Sequence, residues 1–116
     1  MSQFMLLLYA DERAGMAMPK AEMAKAMVLM NAYADALKKA DAHVSHGALG
    51  PTSKATTVTN FDGELKVHAG PYAETQEQLG GYYLIKADSM EAAQQWAAKC
   101  PASGWGHVEI REIQNG

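Results

Sequence analysis

The sequence of 116 residues predicts an α+β fold, in which helices cover a sheet of antiparallel strands. Apolar runs and helical patterns follow one another in the order strand, helix, strand, hairpin, strand, helix, strand. The length fits one domain, residues 1–116, without room for a second core. Two split βαβ halves in this order form a ferredoxin-like sandwich, here with an inserted β-hairpin.

The chain is predicted to begin with a strand and a long helix. Phe4 to Tyr9 is apolar on both faces of a strand. Pro19 is tolerated in a first helical turn, and residues 20–40 follow as a helix. We interpret the methionines of its apolar stripe as core residues rather than cofactor contacts. This stripe, at helical spacing, consists of Met23, Met27, Met30, Ala34 and Leu37.

A second strand is predicted from His43 to Leu49, ending at Gly50-Pro51. Because side chains alternate along a strand, His43 and His46 should lie on opposite faces.

The clearest local signal is a hairpin around Asp62-Gly63, a two-residue type I′ turn that favours positive φ. The flanking strands are predicted to be residues 55–61 and 64–69. Their register pairs Val58 with Val67 on an apolar face, and Thr57 with His68 on a polar face.

Residues 70–81 are predicted to be a loop with one helical turn through residues 74–77, followed by a strand from Tyr82 to Ala87. Asp88 is expected to cap the next helix, and Glu91 completes a capping-box pattern. Pro101 ends that helix, and residues 107–113 are the last strand.

The two-sided apolar pattern of the first strand predicts a dimer. Both helices of a ferredoxin-like fold cover the same sheet face, yet Met5, Leu7 and Tyr9 oppose the equally apolar set of Phe4, Leu6 and Leu8. A contiguous apolar face seldom stays exposed. We expect a second copy to cover it, which makes an isologous homodimer with a barrel between the subunits.

Composition excludes several partner classes. Ten basic and thirteen acidic side chains, without charge blocks, argue against nucleic acid or a membrane surface as a partner. The sequence has no apolar stretch of the roughly 20 residues that a membrane span needs, and no signal peptide is recognised. The one cysteine, Cys100, excludes an intrachain disulfide and favours the cytoplasm.

Residues 69–82, which we name the signature loop, resemble the corresponding loop of YCII-related proteins of the DGPF subfamily. That loop reads Asp-Gly-Pro-Phe, then Ala-Glu-Thr-Lys-Glu and Gly-Gly-aromatic. Here it begins Ala69-Gly70-Pro71-Tyr72-Ala73-Glu74-Thr75-Gln76-Glu77 and ends Gly80-Gly81-Tyr82. Residues 5–9, 47–51, 55–58 and 100–101 also resemble the family pattern, in order. The resemblance implies a ferredoxin-like dimer, the dimeric α/β barrel.

Two positions depart from the family pattern. The aspartate that opens the family's loop is Ala69 here, and the acidic residue often found in the second strand is Gly47. A His–Asp pair is proposed to act in some members, with its histidine early in the chain. No histidine precedes His43 in this sequence, so that pair is not carried over.

Among the four histidines, His46 and His68 are the candidate catalytic residues, because imidazole titrates near neutral pH. His46 would act if it faced a cleft, and His68 leads into the signature loop. The alternative for both is a histidine bonded to water or backbone. His43 and His107 are interpreted as surface residues, and Cys100 as an inert packed thiol.

Candidate ligand-binding residues come from the strands and the signature loop. Tyrosines combine an apolar ring with a polar tip, as small-molecule sites often do. The carboxylates could bind a cation or act as a base, or they could be a cap and a solvated side chain. The set consists of Tyr9, Thr57, Tyr72, Glu74, Glu77 and Tyr82. We expect binding to centre on residues 70–77 together with His68.

The sequence thus favours a small-molecule-binding protein or a minor enzyme with cofactor-independent proton-transfer chemistry of the lyase, isomerase or dehydrochlorinase type. No His, Cys, Asp or Glu set has metal-ligand spacing, and no phosphate-binding glycine motif is present, so neither metal nor cofactor is predicted. The alternative is a non-catalytic regulatory or accessory module that binds a protein partner. The fold does not decide between them.

Overall fold

A computed structural model describes residues 1–114 of the chain. Its main sheet is antiparallel, with strand order β2–β5–β1–β6. These strands are β1 (Ser2–Ala10), β2 (His43–Ala48), β5 (Gln78–Ala87) and β6 (His107–Glu112), while β3 (Thr56–Phe61) and β4 (Glu64–Ala69) form a separate hairpin. The helices are α1 (Glu12–Met16), α2 (Lys20–Lys39) and α3 (Met90–Lys99). This order confirms the predicted α+β, ferredoxin-like fold.

The core lies between one face of the sheet and the two long helices. Tyr33 of α2 is buried against Tyr83 of β5, with ring centroids 5.1 Å apart in an edge-to-face arrangement. The Tyr33 hydroxyl donates a hydrogen bond of 2.7 Å to the Trp96 carbonyl, which ties α2 to α3. Burying each large apolar side chain stabilises the fold by roughly 1.5–3 kcal/mol. The sheet contributes Phe4, Leu6, Tyr83 and Ile85, and the helices contribute Ala34, Leu37, Ala93 and Ala97.

Within the part of the chain that the structure describes, no helix packs on the opposite face of the main sheet. We name it the open sheet face, and it contains the apolar residues Met5, Leu7, Tyr9, Tyr82 and Leu84. Their side chains are partly exposed. On the edge strand β6 the same face carries His107, Glu109 and Arg111. The predicted two-sided apolar character of β1 and β5 is therefore present.

The hairpin has the predicted turn and register. Asp62 and Gly63 have φ values of 54° and 79°, as a type I′ turn requires, and Thr57 pairs with His68. Among residues 1–114, these two strands pair only with each other. The hairpin's apolar side is exposed through Val58, Leu65 and Val67, and Phe61 beside the turn is exposed as well. This projection fits a radius of gyration of 16.0 Å, where a compact domain of this length would have about 13 Å.

The predicted buried stripe of α2 is wrong in its first half. Met23 and Met27 are exposed, and only the later part of the stripe reaches the core. The surface facing Met27 contains the small residues Ala48, Gly80 and Gly81, which leave a cleft between helix and sheet. Met27 therefore borders a gap instead of packing on strand side chains.

The predicted cap of α3 is also wrong. The N-cap is Ser89, whose hydroxyl accepts a hydrogen bond of 3.1 Å from the Ala92 amide. Because the helix begins one residue later than expected, Glu91 is not in the third helical position that a capping box needs. The short helix α1, capped by Asp11, was not predicted.

The signature loop contains no helical turn at residues 74–77, contrary to expectation. Strand β5 begins already at Gln78, whose Oε1 accepts a hydrogen bond of 2.9 Å from the Glu12 amide. Its Nε2 donates to the Thr75 carbonyl at 2.6 Å. The bond to Glu12 ties the end of the loop to α1. Within residues 1–114 no helix has the length and apolar character of a membrane span.

Candidate functional site

A β-bulge in β2 brings two histidines together. His43 pairs with Ile85 and Ser45 pairs with Leu84, so Val44 is an extra residue without its own partner on β5. The bulge resets the alternation and places His43 and His46 on the same, helix-covered face. Nε2 of His43 lies 2.7 Å from Nδ1 of His46, a hydrogen-bond distance. The prediction that these two side chains face opposite sides is therefore wrong.

The histidine pair packs against a buried aromatic ring. The His46 ring is stacked on Tyr83, with centroids 5.1 Å apart and planes inclined by 18°. Partial burial lowers the pKa of His43, and the neighbouring His46 and Lys38 lower it further. Burial raises the pKa of Tyr83, with a smaller contribution from Cys100. Near neutral pH, His43 and Tyr83 are thus held in their neutral forms.

His46 lines a cleft of about 400 Å³ between α2 and the β2–β5 end of the sheet. The walls are mostly apolar, with Leu8, Met27 and Met30 among them. Asn31 and His46 contribute polar side chains to this lining. A mainly apolar cleft with few polar groups is typical of small-molecule sites. We name it the histidine cleft.

A second, polar cleft of about 560 Å³ lies between α1, the turn at Thr52–Lys54 and the signature loop. Glu12 forms part of its wall, and its carboxylate accepts hydrogen bonds from the Thr52 amide at 2.9 Å and the Thr52 hydroxyl at 2.7 Å. Glu74 lines the same cleft. The Glu12 carboxylate therefore stabilises the turn at Thr52–Lys54. Of the residues predicted to bind a ligand, Glu74 is the one that lines this cleft.

The other predicted residues are distributed over two further places. Tyr9, Tyr82 and Glu77 lie at the open sheet face, where Glu77 Oε1 is 2.8 Å from Nδ1 of His107. At the base of the hairpin, the Thr57 hydroxyl donates to the Gly70 carbonyl at 2.8 Å.

His68 is exposed on β4, and Tyr72 is 88% exposed in the signature loop. The structure therefore does not assemble the eight predicted residues into one site.

Two residues near these sites were not predicted to belong to them. His43 and His107 were interpreted as surface residues. The spacing of three between His43 and His46 is the one signal that the sequence contains, since a bulge turns it into a contact. His43 and His46 could supply two nitrogen ligands, but among residues 1–114 they are not grouped with a third potential metal ligand.

Sequence comparison over nearly the whole chain identifies the family. A sequence model described as the YCII-related domain matches residues 2–115. The chain belongs to the YCII-related family. An uncharacterised protein of Rhizobium meliloti (strain 1021) is 35% identical over 112 residues, which is 95% of this chain and 90% of that protein.

The family predicted from the signature loop is confirmed by this match, and the DGPF subfamily stays a prediction. Since the rhizobial relative is uncharacterised, membership of the YCII-related family assigns no substrate.

Proposed function

We propose that this YCII-related protein binds a small, mostly apolar molecule in the histidine cleft and that His46 exchanges a proton with it, without a cofactor. The observation that carries the proposal is the His43–His46 hydrogen bond beside an apolar cleft of about 400 Å³. The bond engages Nδ1 of His46, so Nε2 is the nitrogen that remains for a ligand.

The pair is suited to proton transfer in either direction. When the Nδ1 of His46 carries the hydrogen and donates to His43, Nε2 of His46 is a free base. When Nε2 of His43 donates instead, the Nε2 of His46 carries a hydrogen and is an acid. His43 thus acts as a positioning residue that selects the tautomer of His46. The stacked Tyr83 ring would stabilise the imidazolium that forms after proton uptake.

This chemistry corresponds to the lyase, isomerase or dehydrochlorinase class, in which a base removes a proton next to an activating group. Asn31 in the wall of the cleft offers an amide that can hydrogen-bond a carbonyl or hydroxyl of the molecule. The apolar walls favour a ligand with few charges, because a buried charge needs a partner.

Exchange of carbon-bound hydrogen tests the proposal across many candidate substrates at once. The protein is incubated with a pool of small metabolites in D2O, and mass spectrometry identifies compounds that gain deuterium or are consumed. We expect such a compound with the wild type, and at least about a hundredfold slower exchange with His46→Gln. His68→Gln is the matched control, because His68 is exposed on the hairpin, and it should retain full exchange. Equal rates in His46→Gln and wild type would contradict the role of His46.

We also propose that the protein is a cytoplasmic homodimer that buries its open sheet face. The support is the apolar character of Met5, Leu7 and Leu84 on that face, and a buried, unpaired thiol at Cys100.

A regulatory module that binds a protein partner is the second candidate function. The observation in its favour is the exposed apolar side of the hairpin, formed by Val58, Leu65 and Val67. Absence of any exchanged or consumed metabolite would favour this alternative.

A further inference from the structure

Two tyrosines that touch in the core differ in what their hydroxyls bind. The Tyr33 hydroxyl donates to the Trp96 carbonyl at 2.7 Å, whereas the Tyr83 hydroxyl has no hydrogen-bond partner among residues 1–114. Yet Tyr83 is only 4% exposed. In the same part of the chain, no side-chain oxygen or nitrogen that is enclosed by protein lacks a partner. The Tyr83 oxygen is therefore unpaired but still accessible, so it can bond to a ligand.

The histidine cleft is the space that Tyr83 can reach. Tyr83 belongs to the lining of this cleft, beside His46, on whose ring it is stacked. The edge-to-face contact with Tyr33 covers another side of the Tyr83 ring. The cleft lies on the helix-covered side of the sheet, so a dimer through the open sheet face would leave it accessible.

We propose that the Tyr83 hydroxyl is a catalytic hydrogen-bond donor of the histidine cleft and that the substrate is a small carbonyl compound, a ketone or β-diketone. This inference rests on the proposed role of His46 as the base, and it names the substrate class of that site. Burial raises the pKa of Tyr83, so its hydroxyl keeps the hydrogen that it donates.

The combination of base and donor identifies the substrate class. When a base removes a proton from the carbon next to a carbonyl group, negative charge develops on the carbonyl oxygen. In a mostly apolar cleft such a charge needs a donor, and a preorganised donor stabilises the transition state more than the neutral ketone. Elimination of chloride from a chlorinated compound would place the charge on a leaving ion and would need no donor at an oxygen.

The proposed step is a reversible enolisation. Nε2 of His46 takes the proton, and the electron pair of the broken C–H bond forms a carbon–carbon double bond. The π pair of the C=O bond moves to the oxygen, which accepts the hydrogen bond from Tyr83. Return of a proton from the His46 imidazolium to carbon restores the ketone and the neutral base, and in D2O the returned nucleus is deuterium.

The test uses pentane-2,4-dione in D2O, with exchange at its central carbon followed by ¹H NMR and the rate in buffer alone subtracted. We expect saturable exchange with the wild type. Tyr83→Phe keeps the ring that stacks on His46 and removes only the hydroxyl. It should lower kcat at least about tenfold and change KM little, because the donor acts mainly in the transition state.

Tyr33→Phe is the matched control, since it makes the same change in the ring beside Tyr83. Because it loses the bond to the Trp96 carbonyl, it should lower the urea midpoint while exchange by the folded protein stays at the wild-type rate. Tyr83→Phe should show the reverse, a wild-type urea midpoint with slow exchange. A midpoint lowered as far as in Tyr33→Phe would mean that the Tyr83 hydroxyl is bonded within the protein, and would overturn the proposal.

The remaining outcomes separate this proposal from the role of His46. Wild-type exchange in Tyr83→Phe together with slow exchange in His46→Gln would overturn the role of Tyr83 and support that of His46. A wild type that exchanges other metabolites of the pool but not the diketone would overturn the carbonyl class alone. Absence of exchange with both the pool and the diketone would overturn both proposals.

Discussion

Gly106 lies against the carbonyl oxygen of Tyr9 so closely that a β-carbon at position 106 would overlap it. Tyr9 belongs to β1, and Gly106 precedes the first residue of β6, His107. The close approach therefore sets where the edge strand joins the sheet, and with it the position of His107 opposite Tyr9.

We predict that Gly106→Ala destabilises the protein by about 1–3 kcal/mol, because the opposing atom is backbone and cannot turn aside like a side chain. Urea denaturation measures the effect. Gly104→Ala is the matched control, since a β-carbon there meets nothing within 4 Å, and its midpoint should match the wild type. Equal urea midpoints for both variants would show that β6 moves away from the Tyr9 carbonyl without loss of stability.

The pKa of His43 predicts a loss of stability at acidic pH. This pKa is lowered in the folded protein, chiefly by burial and further by His46 and Lys38, relative to about 6.5 in an unfolded chain. As pH falls through that unfolded value, the unfolded chain takes up a proton that the folded chain resists, so the free energy of unfolding decreases. Above it, both states are neutral and His43 contributes no pH dependence.

The measurement compares urea midpoints of wild type and His43→Gln at about pH 8 and about pH 5. We expect a smaller difference between the two pH values in the variant. His68→Gln, on the exposed face of the hairpin, should retain the wild-type difference. An unchanged difference in His43→Gln would mean that other groups produce the acid sensitivity.

The features that could be predicted from the sequence depend on local patterns. The side chains on both faces of β1 are apolar. Because the helices of a ferredoxin-like fold cover one face, this pattern is sufficient to predict an apolar open sheet face. The Asp62-Gly63 turn determined the register of the hairpin. A two-residue turn fixes which residues of the two strands lie opposite each other. The position of the cap of α3 was missed by one residue, because Asp88 and Ser89 are both good capping residues.

The arrangement of the candidate sites depends on contacts that no local pattern encodes. The bulge at Val44 arises from the pairing of β2 with β5, and without it His43 and His46 would lie on opposite faces. The His107–Glu77 bond requires β6 to lie beside β1, near the end of the signature loop. Both histidine pairs are therefore tertiary features, and the sequence shows their members without showing their partners.

The hairpin turn predicts a local loss of stability in Gly63→Val. Gly63 has φ of 79°, which a β-branched residue adopts only at a cost on the order of 1–3 kcal/mol. In the described residues 1–114, β3 and β4 pair only with each other. We therefore expect the substitution to lower the free energy of opening the hairpin and to change the stability of the main sheet little.

Amide hydrogen exchange distinguishes the two regions. In Gly63→Val, exchange should accelerate in β3 and β4 and stay unchanged in β1 and β5. Asp62→Asn is the control, because asparagine tolerates positive φ, and its exchange should match the wild type. Unchanged hairpin exchange in Gly63→Val would contradict the role of the turn.

The open sheet face predicts a dimer that a single charge can break. Leu7 lies in the central strand β1 on that face, between Tyr82 and Glu109 on the neighbouring strands. In a two-fold dimer through this face, Leu7→Glu would bury two unpaired carboxylates, one from each copy, and an unpaired buried charge costs several kcal/mol.

Sedimentation at low micromolar protein should show a dimer for the wild type and a monomer for Leu7→Glu, with a folded circular dichroism spectrum in both. Val28→Glu, on the exposed side of α2, adds the same charge and should leave the dimer intact. A folded wild-type monomer under these conditions would rule out the dimer and leave the open sheet face to another partner.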